Sequence, residues 1–343
     1  MISDFTDQPI TVLGAGSWGT ALAYMLATSG RNVTLWDRNP TLIDEVNRSR
    51  TNSKYLPSLS LPPNIRGVSD IENAVNQAAS TVVVAVPSGA ILAVLSAFAK
   101  RLNSPVLLVS ATKGLEAQTG QTMSEVISTL IPNEYCRGIV ALSGPNLAKE
   151  VVLGVPSVCI AASIDPVASR QVQKLFMSDS FRVYTHSDIL GVELAGALKN
   201  VLAIGAGACE GLGFGDNTRA AMMTRGLMEM TQIGVAAGAQ ALTFLGIAGV
   251  GDLMATSASR LSRNYRVGVG LAKGEPLEAV LREIGQAAEG VPTSIAAYAL
   301  ARRYGVATPL FDTIHDVIHN GLNPKVAVTE LMRRPPKDEG GSF

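Results

Sequence analysis

The chain has 343 residues, more than one ordinary hydrophobic core takes up, so two domains are expected. Hydrophobic residues make up 47% and charged residues 16%, and the formal net charge of zero speaks against nucleic acid or an anionic membrane as the main partner. Cys136, Cys159 and Cys209 lie far apart without CxxC spacing, and the histidines are His186, His315 and His319, so neither a disulfide framework nor a metal site is expected.

Met1–Pro9 is polar and lacks the basic and apolar regions of a signal peptide, so a cytoplasmic protein is expected. The apolar run Ile10–Leu13 predicts a buried strand, and it runs straight into Gly14-Ala-Gly16-Ser-Trp-Gly19. In such a turn the first glycine lets the backbone leave the strand sharply and the second admits a pyrophosphate without a Cβ in the way. The third lets the following helix pack close on the sheet. Thr20–Thr28 predicts that helix, whose unpaired N–H groups would face the phosphates. A second strand over Asn32–Trp36 ends in Asp37-Arg38, about 20 residues beyond the glycines, where the adenine ribose would lie. Strand, glycine turn, helix, strand and acidic tip together predict a dinucleotide-binding βαβ unit.

The region Asn47–Gly67 has no periodicity and reads as a basic, proline-punctuated excursion near the cofactor edge. Further strands are expected over Thr81–Val86, Val106–Ser110, Gly138–Leu142, Ser157–Ala162 and Phe181–Tyr184. The β-branched run at residue 81 has no polar interruption, as in a strand buried on both faces. In a doubly wound sheet ligands sit beyond the carboxyl ends of the strands, which here carry small or polar residues: Pro87-Ser88, Thr112-Lys113-Gly114 and Ser143 to Asn146.

From about Ile189 strand-like runs give way to an Ala/Gly/Leu/Met-rich helical pattern, which suggests close helix–helix packing and a subunit interface. The expected fold is α/β, an N-terminal Rossmann-type doubly wound sheet over residues 1–188 followed by an all-helical domain over 189–335, with a frayed tail at 336–343. The most apolar stretch, Ile189 to Cys209, carries Glu193, Lys199 and Asn200, so it is not expected to span a membrane.

Lys199 and Asn200 in the middle of an apolar helix are costly unless they have a partner or a role. A core ion pair with Glu193 is one explanation, weakened because helical geometry sets Asn200 rather than Lys199 over Glu193. A desolvated lysine tuned towards neutrality for acid/base chemistry is the other. Asp252 follows two glycines and is either the N-cap of the next helix or part of the chemistry. Arg260, Arg263 and Arg266 repeat at three, with Ser262 and Asn264 alongside, which reads as an anion site or as a solvated basic face.

Taken together the sequence resembles the bacterial-type NAD(P)-dependent sn-glycerol-3-phosphate dehydrogenases across nearly its full length. The resemblance rests on GAGSWGTALA, LWDR, the YLP at residue 55, VPS, TKGLE, LSGPNLAKE, ALKNVLAIGAG, GDLMATSASRLSRNYRVG and the AAEG at residue 287. It implies NADP or NAD as cofactor and a phosphorylated triose as substrate, with hydride exchange between the nicotinamide and C2 of glycerol 3-phosphate. It further implies cofactor contacts from Gly14, Gly16, Ser17, Trp18, Gly19, Arg38, Lys113, Ala148, Arg263, Ala287 and Glu289. Lys199 would be the proton donor and acceptor, supported by Asp252 and Lys113. Gly144 and Asn146 would line the substrate, and Ser262, Arg263 and Asn264 would hold its phosphate; position 146 departs from the small hydroxyl residue expected in relatives. Asp37 favours NAD and Arg38 favours NADP, and the resemblance implies use of both. It also implies supply of glycerol phosphate for phospholipid synthesis, and a homodimer is expected. The competing readings are a β-hydroxyacid or sugar-acid dehydrogenase of similar plan, which would not need Arg263 and Asn264 together, and a dinucleotide sensor, which would not need Lys199 and Asp252.

Overall fold

The structure is a computed structural model that describes residues 9–76, 80–336 and 338–339. Residues 1–8, in the segment read as carrying no leader, and residues 337 and 340–343 of the expected tail lie outside the described residues. The chain forms two compact units: residues 1–112 with 123–189, and residues 113–122 with 190–343.

The first unit is built on eight strands: β1 (Ile10–Leu13), β2 (Val33–Trp36), β3 (Ile65–Val68), β4 (Thr81–Val84), β5 (Val106–Ser110), β6 (Cys136–Ser143), β7 (Ser157–Ala162) and β8 (Phe181–His186). Their order in the sheet is β3-β2-β1-β4-β5-β6-β7-β8. The first six pair in parallel, β7 runs antiparallel to β6, and β8 runs parallel to β7. The chain order therefore reverses between β1 and β4, the position at which an open α/β sheet leaves a crevice for a ligand.

Successive residues of these strands point to opposite faces, and both faces are buried. Val12, Val83, Leu107 and Val109 join one core, with α1 (Ser17–Thr28), α2 (Pro40–Ser49) and, later in the chain, α7. Leu13, Val82, Val84 and Leu108 join the other, with α3 (Ile71–Asn76), α4 (Ile91–Ala99) and α5 (Met123–Leu130). The short α6 (Ala148–Val152) packs against α1, and α7 spans Pro166–Phe176. Two-sided burial is why these strands read as unbroken β-branched runs rather than as alternating ones.

One strand departs from the sequence reading. β3 falls in the excursion taken to be without regular structure. Its Ile-Arg-Gly-Val sequence is short, polar at its second position and preceded by prolines, and its strand form comes from pairing with β2.

The second unit is helical: α8 (Ile189–Gly211), α9 (Asp216–Ala236), α10 (Ala241–Phe244), α11 (Asp252–Ala258), α12 (Arg263–Ala272), α13 (Leu277–Ile284), α14 (Gly290–Arg303), α15 (Pro309–His319) and α16 (Pro324–Met332). By length and composition α8 is apolar enough to cross a membrane, but 83% of its apolar window is buried within the protein. Leu194, Leu198, Val201 and Leu202 of α8 meet Met230, Ile233, Phe244 and Phe311 in one core, so its apolarity is that of a central core helix. The segment Lys113–Thr122 belongs to this unit: Leu115 joins its core and Arg303 donates to the Thr119 carbonyl at 2.8 Å.

Candidate active site

Three charged side chains meet in the second unit. Lys199 sits in the middle of α8, Asp252 opens α11, and Lys113 comes from the Lys113–Thr122 segment. The Asp252 carboxylate takes one ammonium on each oxygen: Lys113 Nζ lies 2.8 Å from Oδ2 and Lys199 Nζ 3.1 Å from Oδ1. Lys199 is 5% exposed and Asp252 2% exposed, so their pairing occurs away from bulk water, while Lys113 is part-buried. Lys199 also donates to Thr256 Oγ1 at 2.6 Å, and Thr256 donates to Asp252 Oδ1 at 3.1 Å. Asp252 and Thr256 are one helical turn apart on α11, which puts both on the same face.

Burial pulls the Lys199 ammonium down to about 8, against the opposing pull of Asp252; Lys113 and Arg263, both positive, lower it further. Burial alone would raise the Asp252 carboxyl, but Lys113 and Lys199 outweigh it and hold the group below its ordinary value. One carboxylate between two ammonium groups leaves the cluster net positive. It suits an anionic ligand and holds a lysine able to give and take a proton near neutral pH.

The explanations that competed in the sequence are separated here. The partner of Lys199 is Asp252, not Glu193. Asp252 is the first residue of α11, not its N-cap, which is Gly251. A π-helical turn over Ile247–Gly251 leads into it, a distortion often found at functional sites. Thr256 was missed, although its spacing of four from Asp252 was open to reading.

Asn200 and Asn264 complete a second, neutral arrangement. Asn264 donates to Asn200 Oδ1 at 2.8 Å and accepts the Gly290 N–H at 2.9 Å. Both are buried, and Ser262 caps α12 by accepting the Tyr265 N–H at 3.3 Å. Arg263 is exposed at the first position of α12, yet its charge is felt at Lys199. The arginine triplet does not act as one face. Arg260 precedes α12 and pairs with Glu210, and Arg266 pairs with Glu283, while Arg263 is the member whose charge reaches Lys199. Glu289 is the N-cap of α14, and Ala287 is exposed just before it.

In the first unit the glycine turn fits a dinucleotide. Gly14 has φ +109°, and a Cβ there would meet Ala85 O at 2.8 Å. A Cβ on Gly19 would lie 1.9 Å from Gly14 O, whereas nothing stands within 4 Å of one on Gly16. The turn is thus tight against the sheet at both ends and open in the middle, where a pyrophosphate would lie. Gly16, the N-cap of α1, makes no side-chain cap, and the helix N-terminus that follows it is the kind of end that receives phosphate. Trp18 Nε1 is buried without a partner among the described residues. Asp37 does not stand clear at the tip of β2. Its Oδ2 accepts the Ala15 N–H at 3.1 Å and its Oδ1 the Asn39 N–H at 3.0 Å, while Arg38 beside it is exposed.

At the end of β6, Gly144 has φ +150°, and a Cβ there would lie 2.9 Å from Cys159 Cα. Asn146 donates to the Val158 carbonyl at 2.9 Å, and its Oδ1 is buried without a partner among the described residues. Ala148 is the first residue of α6, against α1.

Known proteins share this sequence and fold. Residues 9–169 match the family described as NAD-dependent glycerol-3-phosphate dehydrogenase N-terminus, and residues 188–329 its C-terminus. A glycerol-3-phosphate dehydrogenase [NAD(P)+] of Lysinibacillus sphaericus is 46% identical over 332 residues, 97% of this chain and 98% of the relative. One from Enterococcus faecalis is also 46% identical, covering 97% of each. The crystal structure of glycerol-3-phosphate dehydrogenase from Coxiella burnetii superposes with a TM-score of 0.92 at 35% identity, over 96% of this chain and all of that one (100%). A ketopantoate reductase of Ralstonia eutropha shares the fold alone, with a TM-score of 0.61 at 15% identity. The chain belongs to the NAD-dependent glycerol-3-phosphate dehydrogenase family.

Proposed function

We propose that this chain reduces dihydroxyacetone phosphate to sn-glycerol 3-phosphate, reversibly, with NADPH or NADH, and that Lys199 is its proton donor. The observation that carries the proposal is the buried Lys199–Asp252–Lys113 cluster with its lysine held at about 8. When bound, the reduced cofactor supplies a hydride to the C2 carbonyl carbon. An alkoxide then develops on the substrate oxygen, and the Lys199 ammonium offsets that charge and passes it a proton. Asp252 and Thr256 fix the direction of Nζ, and Lys113 adds positive charge where the alkoxide forms. In the oxidative direction neutral Lys199 takes the hydroxyl proton.

Arg263, Ser262 and Asn264 are the residues proposed to hold the phosphate. Asn264 keeps one amide hydrogen after its bonds to Asn200 and Gly290, and Arg263 brings a guanidinium. Fixing the phosphate aligns the reacting carbon through binding energy gained away from it. Gly144 and Asn146 are assigned to the substrate. Gly14, Gly16, Ser17, Trp18, Gly19, Arg38, Lys113, Ala148, Arg263, Ala287 and Glu289 are assigned to the cofactor. Residues 1–188 are proposed as the dinucleotide-binding domain and 189–335 as the helical substrate and catalytic domain, with Lys113, Gly144 and Asn146 of the first also meeting the substrate and Arg263, Ala287 and Glu289 of the second also meeting the cofactor. A homodimer, a cytoplasmic location and a role in glycerophospholipid synthesis complete the proposal; sedimentation equilibrium tests the first.

The substrate assignment is tested by following NADPH oxidation with dihydroxyacetone phosphate and with dihydroxyacetone, in wild type and Arg263→Ala. Wild type should favour the phosphorylated substrate, and Arg263→Ala should raise its KM by about a hundredfold, as loss of a charge-assisted bond implies. Equal use of both substrates by wild type, or an unchanged KM in the variant, would remove the phosphate clamp from the account.

A further inference from the structure

The excursion between α2 and β3 returns to the glycine turn through one side chain that the reaction as described does not use. Asn52 is completely buried in the first unit. Its Nδ2 donates one hydrogen to the Ala15 carbonyl at 2.9 Å and the other to Thr20 Oγ1 at 2.9 Å. Thr20 Oγ1 in turn donates to the same Ala15 carbonyl at 3.1 Å, so the three groups close a ring of hydrogen bonds. Asn52 could not present its oxygen instead, because the Ala15 carbonyl only accepts.

This ring acts on the peptide that joins Ala15 to Gly16. In a trans peptide the C=O and the following N–H point in opposite directions. Holding the Ala15 carbonyl against Asn52 and Thr20 therefore turns the Gly16 N–H away from them, at the point in the turn that is open. The preceding peptide is held too, since the Ala15 N–H is bound to Asp37. Asp37 and Asn52 thus fix two successive peptide planes, one from the tip of β2 and one from the excursion. Two further ties hold Asn52 itself: Tyr55 and Leu56 donate their N–H groups to its carbonyl, at 3.1 and 2.8 Å.

We propose that Asn52 is a positioning residue for the dinucleotide, setting the orientation of the Gly16 amide that meets the pyrophosphate, an inference that rests on the cofactor reading above. Asn52→Asp keeps the size of the side chain and removes both donors, setting a carboxylate against the Ala15 carbonyl. Asn64 offers an internal comparison: it comes from the same excursion and donates to the Ala27 and Arg31 carbonyls at 2.8 and 2.6 Å, at and just past the other end of α1.

The test is NADPH binding by fluorescence titration, with steady-state KM values for NADPH and dihydroxyacetone phosphate and a melting temperature for each variant. Asn52→Asp is expected to weaken NADPH binding about tenfold or more, in line with removal of buried donors, while the KM for dihydroxyacetone phosphate stays within about twofold of wild type. Asn64→Asp should lower the melting temperature and leave NADPH binding unchanged. Should Asn52→Asp not fold, Thr20→Val, which removes one side of the ring at constant size, must show the same selective loss. NADPH binding at wild-type strength in the folded Asn52 variant, or in Thr20→Val where that stands in, would overturn the proposal. So would equal weakening by Asn64→Asp. Absence of NADPH binding by the wild type would instead overturn the cofactor reading beneath it.

Discussion

Asp252 is the residue on which the lysine cluster depends, because its carboxylate pairs with both ammonium groups. Its effect on Lys199 is opposite in sign to that of Lys113, and this makes the cluster testable by pH. With Lys199 as the proposed proton donor, reduction requires it protonated, so its rate should fall as the pH rises through about 8, while oxidation should rise over the same range. Lys113→Met removes a positive neighbour, so the same limb should move to higher pH. Asp252→Asn removes the carboxylate that favours the ammonium and should move it to lower pH, with a large loss of rate at neutrality. A limb that stays in place in both variants would separate it from Lys199. The buried, paired lysine was legible in the sequence because an ammonium inside an apolar helix demands a reason. Its partner Asp252 was reached only through the family resemblance, since it lies 53 residues further on and only the packing of α8 and α11 brings them together.

Glycines set the spacing of the elements around this cluster. A Cβ on Gly207 of α8 would lie 1.9 Å from the Tyr265 carbonyl of α12, and one on Gly268 of α12 would lie 1.9 Å from the Ile204 carbonyl of α8. The two helices touch backbone to backbone, and that approach lets Asn200 reach Asn264. Gly207→Ala should therefore destabilise the fold by about 3 kcal/mol or more, read as a fall in the denaturation midpoint. Close helix packing was legible in the Ala/Gly-rich composition; which glycines meet was not. The same limit explains β3, whose pattern is too short to read without β2 beside it.

Another element-level feature lies at the start of α15. Glu229 of α9 accepts the N–H groups of Leu310 and Phe311 at 3.0 and 3.1 Å. Burial lifts its carboxyl to about 7 despite those bonds, with Asp312 raising it further and Arg225 opposing. The folded state then binds more protons than the unfolded chain between pH 4.5 and 7, so the contribution of Glu229 is fullest below pH 4.5 and is lost as the pH rises through 7. Glu229→Gln, uncharged and still an acceptor, should remove a pH dependence on the order of 3 kcal/mol across that window in urea unfolding. An identical pH profile in the variant would contradict the shift.

At the scale of the whole molecule, the change from sheet to helix was legible from texture alone. β-branched runs gave way to Ala/Gly/Leu/Met-rich helix near residue 189, and the glycine turn and the buried lysine fell in different halves. The strand order, with its reversal beside β1, matches the doubly wound plan expected from those runs. Less legible was the return of Lys113–Thr122 to the helical unit, because nothing in ten residues between β5 and α5 marks them as belonging elsewhere. That return is what gives Asp252 its second ammonium.

The most direct measurement is NADPH oxidation with dihydroxyacetone phosphate by wild type and Lys199→Ala, alongside NADPH titration of both. The account predicts turnover by the wild type and a loss of at least about a hundredfold in kcat for the variant, the lower bound expected for removing a general acid, with NADPH still bound. Turnover that survives the substitution would contradict Lys199 as the proton donor.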